Sequence, residues 1–259
     1  MPEGDTVFLT CHRLNEALAG RHLVRGELRH PRLSTVDLAG RVVSEVRPAG
    51  KHLLMRFDHG RTLHHHLRMD GSWHLYAPGA RWRRPGHQAR AVLATAEQVA
   101  VGFALHDLRW IPTSRESELV GHLGPDLLSP DWGPDSEAEA VRGLTADPGR
   151  EIGLALMDQR IMAGVGNLYK TEVCFLLGRS PWTPVAEVDA REAVRLSHEL
   201  LVRNAWHPEQ TTTKSLGRGD QHWVYGRKSC LRCGGPVRRG TQGTPPDSRT
   251  TYHCPRCQP

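Results

Sequence analysis

Four cysteines near the end of the chain constrain its folding more than any other feature. Cys230-Leu231-Arg232-Cys233 and Cys254-Pro255-Arg256-Cys257 are two C-x2-C pairs separated by twenty residues. Each pair forms a tight knuckle whose two thiolates can reach one ion. Two knuckles at the ends of a hairpin complete a tetrahedral site. Four thiolates leave no open coordination position, so a metal held there is structural: one Zn2+, with a rubredoxin-like iron site or disulfides as the alternatives. The chain carries no sign of export that would favour disulfides. Cys11 and Cys174 stand alone in apolar, helix-like surroundings and read as small core residues.

The pattern upstream changes character twice. Asp5 or Thr6 can cap a first helix, on which Val7, Cys11, Leu14 and Leu18 recur at helical spacing before Gly20 stops it. Strand-like stretches follow: RVVSEVRPAG, KHLLMRF, RTLHHHLRM, GSWHLY, ARAVLAT and VAVGFALH, with a turn at Asp58–Gly60. This is an antiparallel domain of two packed sheets with the helix at an edge. LGPDLLSPDWGPDSEA then reads as a linker. Beyond it SEAEAVRGL, EIGLALMD, NLYKTEVCFLLG and DAREAVRLSHELLVRNA are helical. The fold class is therefore α+β. The expected boundaries are residues 1–122 for the β-sandwich with its leading helix, 123–135 for the linker, 136–222 for the helical domain and 223–259 for the cysteine module.

The charge is uneven. The chain of 259 residues has net charge +6, and from Leu200 onward ten Lys/Arg face three Asp/Glu. A basic terminal region suits a phosphate backbone. No apolar run approaches the ~20 residues of a membrane span, and Glu3 and Asp5 do not fit a signal peptide. A bacterial cytoplasm is the expected compartment. In MDQRIMAGVGNLYKTEV, Gly164 and Gly166 flank Val165, and Asn167 opens a helix. That helix N-terminus, with free first-turn amides, is a candidate phosphate site. Arg238, Arg239 and Arg249 between the knuckles are further phosphate candidates. His64 and His66 share one strand face and His65 takes the other; with no carboxylate pattern nearby, packing or phosphate contact is expected rather than a metal site.

Taken together, MPEGDTV, GKHLLMRF, HLRMDGSW, LGPDLLS, LMDQRIMAGVGNLYKTEVCFLLG, VYGR and SRTTYHCPRCQ resemble the Fpg/Nei family of bifunctional DNA glycosylases, in the family's order and over nearly the whole chain. The PEGD start is similar to the endonuclease VIII (Nei) branch and most similar to actinobacterial Nei-like proteins. The resemblance implies a β-sandwich, a helix–two-turn–helix domain and a β-hairpin zinc finger. It also implies removal of a flipped, damaged base followed by nicking of the abasic strand. It gives Pro2, Glu3 and Lys51 as catalytic residues. Asn167, Gly166, Arg249, Met69 and Arg109 would contact DNA.

The chemistry explains the residue types. Once Met1 is removed, Pro2 offers a secondary amine. Attack on C1′ of deoxyribose forms an iminium, an electron sink that drives elimination of the 3′ phosphate. The amine has an ordinary pKa of about 8 and lies at the positive end of the first helix, which disfavours its protonation. Glu3 can protonate the ring oxygen and shuttle protons. Lys51 would contact phosphate near the lesion or assist base departure. Met69 would fill the hole left by the extruded base. DLRWIPT departs from the DPRRFG-like loop of the Fpg branch, so Arg109 or Trp110 would substitute there. The Nei-like start favours oxidised pyrimidines, and the short HPEQTTTKSLGRGDQHW segment leaves little room for a loop over 8-oxoguanine. An oxidised-purine enzyme and a non-catalytic module binding DNA or abasic sites are the alternatives. Damaged DNA is the expected partner, with no small-molecule cofactor and a monomeric chain.

Overall fold

The computed structural model describes residues 2–217 and 219–259. Met1, whose removal the amine chemistry requires, lies outside them, as does Arg218 in the segment before VYGR. The described residues divide into two compact units. One holds Pro2 with Thr6–His122, the other Glu3–Asp5 with Leu123–Pro259.

In the first unit, α1 (Gly4–Leu18), which belongs to it from Thr6 on, precedes eight strands: β1 (Arg25–Leu28), β2 (Val43–Ala49), β3 (His52–Phe57), β4 (Arg61–His66), β5 (Ser72–Tyr76), β6 (Ala89–Ala94), β7 (Val99–Phe103) and β8 (Asp107–Pro112). They form two antiparallel four-stranded sheets, ordered β2-β3-β4-β8 and β1-β6-β7-β5. Alternation sets the inner faces: Leu53, Met55 and Leu63 of one sheet and Leu28, Ala91, Leu93 and Ala100 of the other bury against Val7, Cys11, Leu14 and Leu18 of α1. The helix therefore belongs to the core of the sandwich. It ends before Gly20, whose φ of +73° is the left-handed conformation that stops a helix. The β3–β4 turn likewise needs Gly60, at φ +72°.

Two expectations shift here. The first helix begins at Gly4, so Asp5 lies in its first turn and neither Asp5 nor Thr6 is the cap. DLRWIP is strand β8, paired with β4 in the register His64–Arg109. Trp110 therefore packs, partly buried, against the sandwich core, its ring centroid 5.1 Å from that of Phe57. It is not at a loop tip, and only Arg109 remains exposed.

In the second unit, α3 (Pro134–Thr145), α4 (Ile152–Met157), α5 (Asn167–Leu176) and α6 (Ala190–Asn204) pack around one core, after the short α2 (Ser117–Val120) that closes the first unit. Asp189 caps α6 by accepting from the Glu192 N–H at 3.0 Å. Leu127, in the Pro- and Gly-rich stretch, is fully buried in this core. The hairpin β9 (Arg238–Gln242) and β10 (Arg249–His253) carries the cysteine knuckles at its ends. No helix among the described residues is long and apolar enough to cross a membrane.

Candidate functional site

The first turn of α5 already holds an anion. The Glu3 carboxylate is seated on it, accepting from the N–H groups of Gly166 at 2.7 Å, Leu168 at 2.7 Å and Tyr169 at 3.4 Å. The expected phosphate site is thus occupied by the protein's own anion, for the reason it was expected: a helix N-terminus holds negative charge. The fit depends on Gly166, because a Cβ there would meet Glu3 Cδ at 2.4 Å. The Gly4 N–H donates to the Gly164 carbonyl at 2.9 Å, and a Cβ on Gly4 would meet Gly164 Cα at 2.8 Å. The glycines flanking Val165 therefore admit the start of the chain.

The same segment is pinned a second time. The Asp5 carboxylate accepts from the Tyr169 hydroxyl at 2.7 Å and from Gln210 Nε2 at 2.9 Å. Burial, with Asp5 and Glu3 close by, pushes the Tyr169 hydroxyl far above its ordinary range, so it stays a donor. Glu3 and Asp5 are both essentially inaccessible to solvent.

Asn167, the first residue of α5, is buried and donates through Nδ2 to the Thr250 carbonyl at 2.8 Å. One turn on, Lys170 is fully buried and donates to Thr251 Oγ1 at 2.5 Å and Gln242 Oε1 at 3.1 Å. Burial lowers its pKa to about 8. Both residues clasp the hairpin beside Arg249, which is half-buried at the head of β10 and donates to the Ser248 carbonyl at 2.9 Å. Arg238 and Arg239 are exposed on β9. Glu172 is also buried on α5 and accepts from the N–H groups of Trp223, Val224 and Tyr225 at 2.7–2.9 Å, which fixes the backbone of WVYG.

Sequence reasoning missed Lys170, Glu172 and the Asp5–Tyr169–Gln210 set. A faint signal existed. In NLYKTEVCFL, Lys and Glu interrupt a helix whose first nine residues are all buried, and a buried charge needs designated partners.

The four sulfur atoms of Cys230, Cys233, Cys254 and Cys257 lie within 4.8 Å of one another, with Cys233–Cys254 at 3.5 Å and Cys230–Cys257 at 3.9 Å. A tetrahedral Zn2+ with Zn–S near 2.3 Å requires S···S of about 3.8 Å. The donor set and spacing fit a four-thiolate metal site. Cys11 and Cys174 are buried in the two cores.

In the first unit, Pro2 is half-buried, and Lys51 sits half-buried in the turn between β2 and β3. Met69 is 68 % exposed in the turn after β4. Arg109 is exposed, with its Nε 3.5 Å from Asp107. The histidines divide as alternation dictates. His65 points into the core and accepts from Trp73 Nε1 at 2.8 Å. His64 lies on the other face, hydrogen-bonded to His52 at 2.8 Å. Burial holds His64 and His52 at about 4 and His65 at about 3. Among the described residues, only the four cysteines form a group of three or more side chains placed to hold one metal ion.

Comparison with known proteins agrees with this architecture. A model of the formamidopyrimidine-DNA glycosylase N-terminal domain matches residues 1–123. A Streptomyces coelicolor protein named probable endonuclease 8 2 is 52 % identical, over 100 % of this chain and 94 % of its own length. The chain belongs to the Fpg/Nei family. Another relative, from Mycolicibacterium smegmatis, is named DNA-(apurinic or apyrimidinic site) lyase Nei2. It is 42 % identical over 100 % of this chain and 99 % of its own. Among solved structures, Lactococcus lactis Fpg bound to abasic-site DNA matches with a TM-score of 0.79, 21 % identity and 99 % coverage of both chains. MutM in complex with carbocyclic 8-oxo-G DNA matches with 0.79, 21 % and full coverage. At that identity the likeness is one of fold: the Fpg/Nei sandwich, helices and cysteine hairpin.

Proposed function

We propose that this chain is a bifunctional DNA glycosylase and abasic-site lyase of base excision repair that removes oxidised bases, pyrimidines foremost. The observation that carries the reading is the Glu3 carboxylate, fixed on the α5 N-terminus by three backbone N–H groups and joined directly to Pro2. It stands in a chain whose full-length relatives are named endonuclease 8 and abasic-site lyase.

In this mechanism the Pro2 amine attacks C1′ of the damaged nucleotide, and the base departs with the electron pair of the glycosidic bond and takes a proton from water. Glu3 accepts the proton released by the attacking amine and hands it to the ring oxygen. The sugar opens and the iminium forms on Pro2. The iminium acidifies C2′, the Glu3 carboxylate, regenerated when the ring oxygen was protonated, takes the C2′ proton, and the electrons expel the 3′ phosphate. The cap keeps the carboxylate from wandering, so it stays positioned beside Pro2 for these transfers. Lys51 neutralises a phosphate near the lesion. Asn167 and Arg249 hold the flanking strand, which the clasp between α5 and the β9–β10 hairpin pre-organises, while Gly166 makes the room in which Glu3 is seated. Met69 enters the stack where the base left, and Arg109 faces the orphaned partner.

One Zn2+ on Cys230, Cys233, Cys254 and Cys257 ties the two knuckles together and takes no part in the chemistry. Residues 1–122 serve as the catalytic domain, with 136–222 and 223–259 as the DNA-gripping modules after the 123–135 connection. The protein acts as a monomer on chromosomal DNA in a bacterial cytoplasm.

The test is strand cleavage of duplexes carrying one thymine glycol or one 8-oxoguanine. The reading predicts faster cleavage at thymine glycol. Faster cleavage at 8-oxoguanine would reverse the substrate order, and cleavage of neither would remove the glycosylase claim.

A further inference from the structure

The loop joining β5 to β6 takes no part in the function proposed so far. Between Asp70 and Glu97 the chain has no acidic residue, yet it carries Arg81, Arg83, Arg84 and Arg90, with Trp82 among them. A run of charge is usually a solvated face. This one is held in shape. Arg84 donates to Gln88 Oε1 at 3.0 Å, the Ser72 hydroxyl at 3.0 Å and the Asp70 carbonyl at 3.1 Å, and its guanidinium lies over the Phe103 ring. Trp82 packs edge-on to Phe103 and carries the Arg29 guanidinium on its face. The Arg83 N–H donates to the Tyr76 hydroxyl at 3.1 Å.

These tethers leave Arg81 and Arg83 exposed, with no ion pair to any carboxylate of the described residues. The nearby acids are engaged elsewhere: Glu27 pairs with Arg25 and Arg29, and Asp70 with His106. Moreover, Arg84 fastens the loop to Asp70, the residue after Met69.

We propose that the Arg81–Arg84 loop is a second phosphate-binding arm, gripping the DNA backbone next to the hairpin that carries Met69. The inference rests on the function proposed above, since it uses the same DNA. Two free guanidiniums on a rigid loop suit two backbone phosphates: the guanidinium fork matches phosphate geometry, and pre-organisation lowers the ordering cost. Such contacts position the duplex without reading its sequence.

The experiment measures equilibrium binding to a 25-base-pair duplex with one tetrahydrofuran abasic analogue, from 50 to 300 mM salt. Wild type is compared with Arg81→Ser/Arg83→Ser and Arg81→Lys/Arg83→Lys. Loss of two phosphate contacts lowers the slope of log K against log[salt] by about 1.8 and weakens binding at 0.1 M salt roughly tenfold or more. The lysine pair keeps the slope. Should the serine pair misfold, arginine-specific modification of the wild-type protein read by mass spectrometry gives the answer: bound DNA protects Arg81 and Arg83. If wild type binds but the serine pair keeps its slope, or if both arginines react equally with and without DNA, the arm is overturned and the proposed function stands. If wild type does not bind the abasic duplex, the proposed function falls and the arm falls with it.

Discussion

Replacing Glu3 with Gln separates the two tasks given to this residue. The carboxylate serves Leu168 N–H through one oxygen and Gly166 and Tyr169 N–H through the other. An amide can turn its oxygen toward only one of those sides. The other side then sets an NH2 group against a buried backbone N–H. One hydrogen bond to a charged group is lost, about 1.5–3 kcal/mol. The attraction between the carboxylate and the helix N-terminus adds about 0.3–1 kcal/mol. The sum is about 2–4 kcal/mol. For a unit of this size each kcal/mol shifts the melting temperature by about 2–4 °C, so Glu3→Gln melts about 4–16 °C below wild type in calorimetry of the metal-loaded protein at pH 7. Base excision falls by roughly 100-fold or more with the proton relay. A variant that melts within 1 °C of wild type would refute the cap, whatever its activity.

Other perturbations follow from the same geometry. Gly166→Ala places a methyl on Glu3 and lowers stability by about 1–3 kcal/mol, read as a shift in urea midpoint at unchanged slope. Lys170 has a folded pKa of about 8, below its unfolded value of about 10.5. The unfolded chain therefore holds the extra proton between these values, and stability from this group rises as pH goes from 8 to 10.5. Lys170→Met removes that component, seen as a flatter pH dependence in denaturant titrations. His64 and His65 have folded values of about 4 and 3, below the unfolded 6.5, so the protein loses stability as pH falls from 6.5 toward 4, by up to about 1.4 kcal/mol per pH unit for each. His64→Gln reduces the slope. Elemental analysis finds one zinc per chain in wild type and less than one in Cys254→Ser, which loses DNA binding as the hairpin loosens.

What the sequence reveals depends on how local the cause is. The cysteine knuckles, the alternation of His64, His65 and His66, and the period of α6 are written within a few residues, and the folded chain follows them. The turn that carries Met69 after β4 was legible in RMDG, whereas the role proposed for Met69 comes from the family resemblance. β1 was not: its four residues, RGEL, include a glycine and two charges and become a strand only by pairing with β6. DLRWIP reads as a loop until β4 lies beside it. The partner of the α5 N-terminus lies 163 residues away in sequence. The sequence offered that helix N-terminus as an anion site, but nothing local showed that Glu3 would be the anion received. The charges buried within α5 were similarly silent, since their partners come from the hairpin and from WVYG.

The central claim is that Pro2 carries the covalent chemistry. Borohydride reduction of the Met-processed protein on an oligonucleotide with one thymine glycol, followed by peptide mapping, tests it most directly. The account predicts a stable DNA adduct on the Pro2 peptide, formed equally on a plain abasic site. An adduct on a lysine peptide, or none with DNA binding intact, would contradict it.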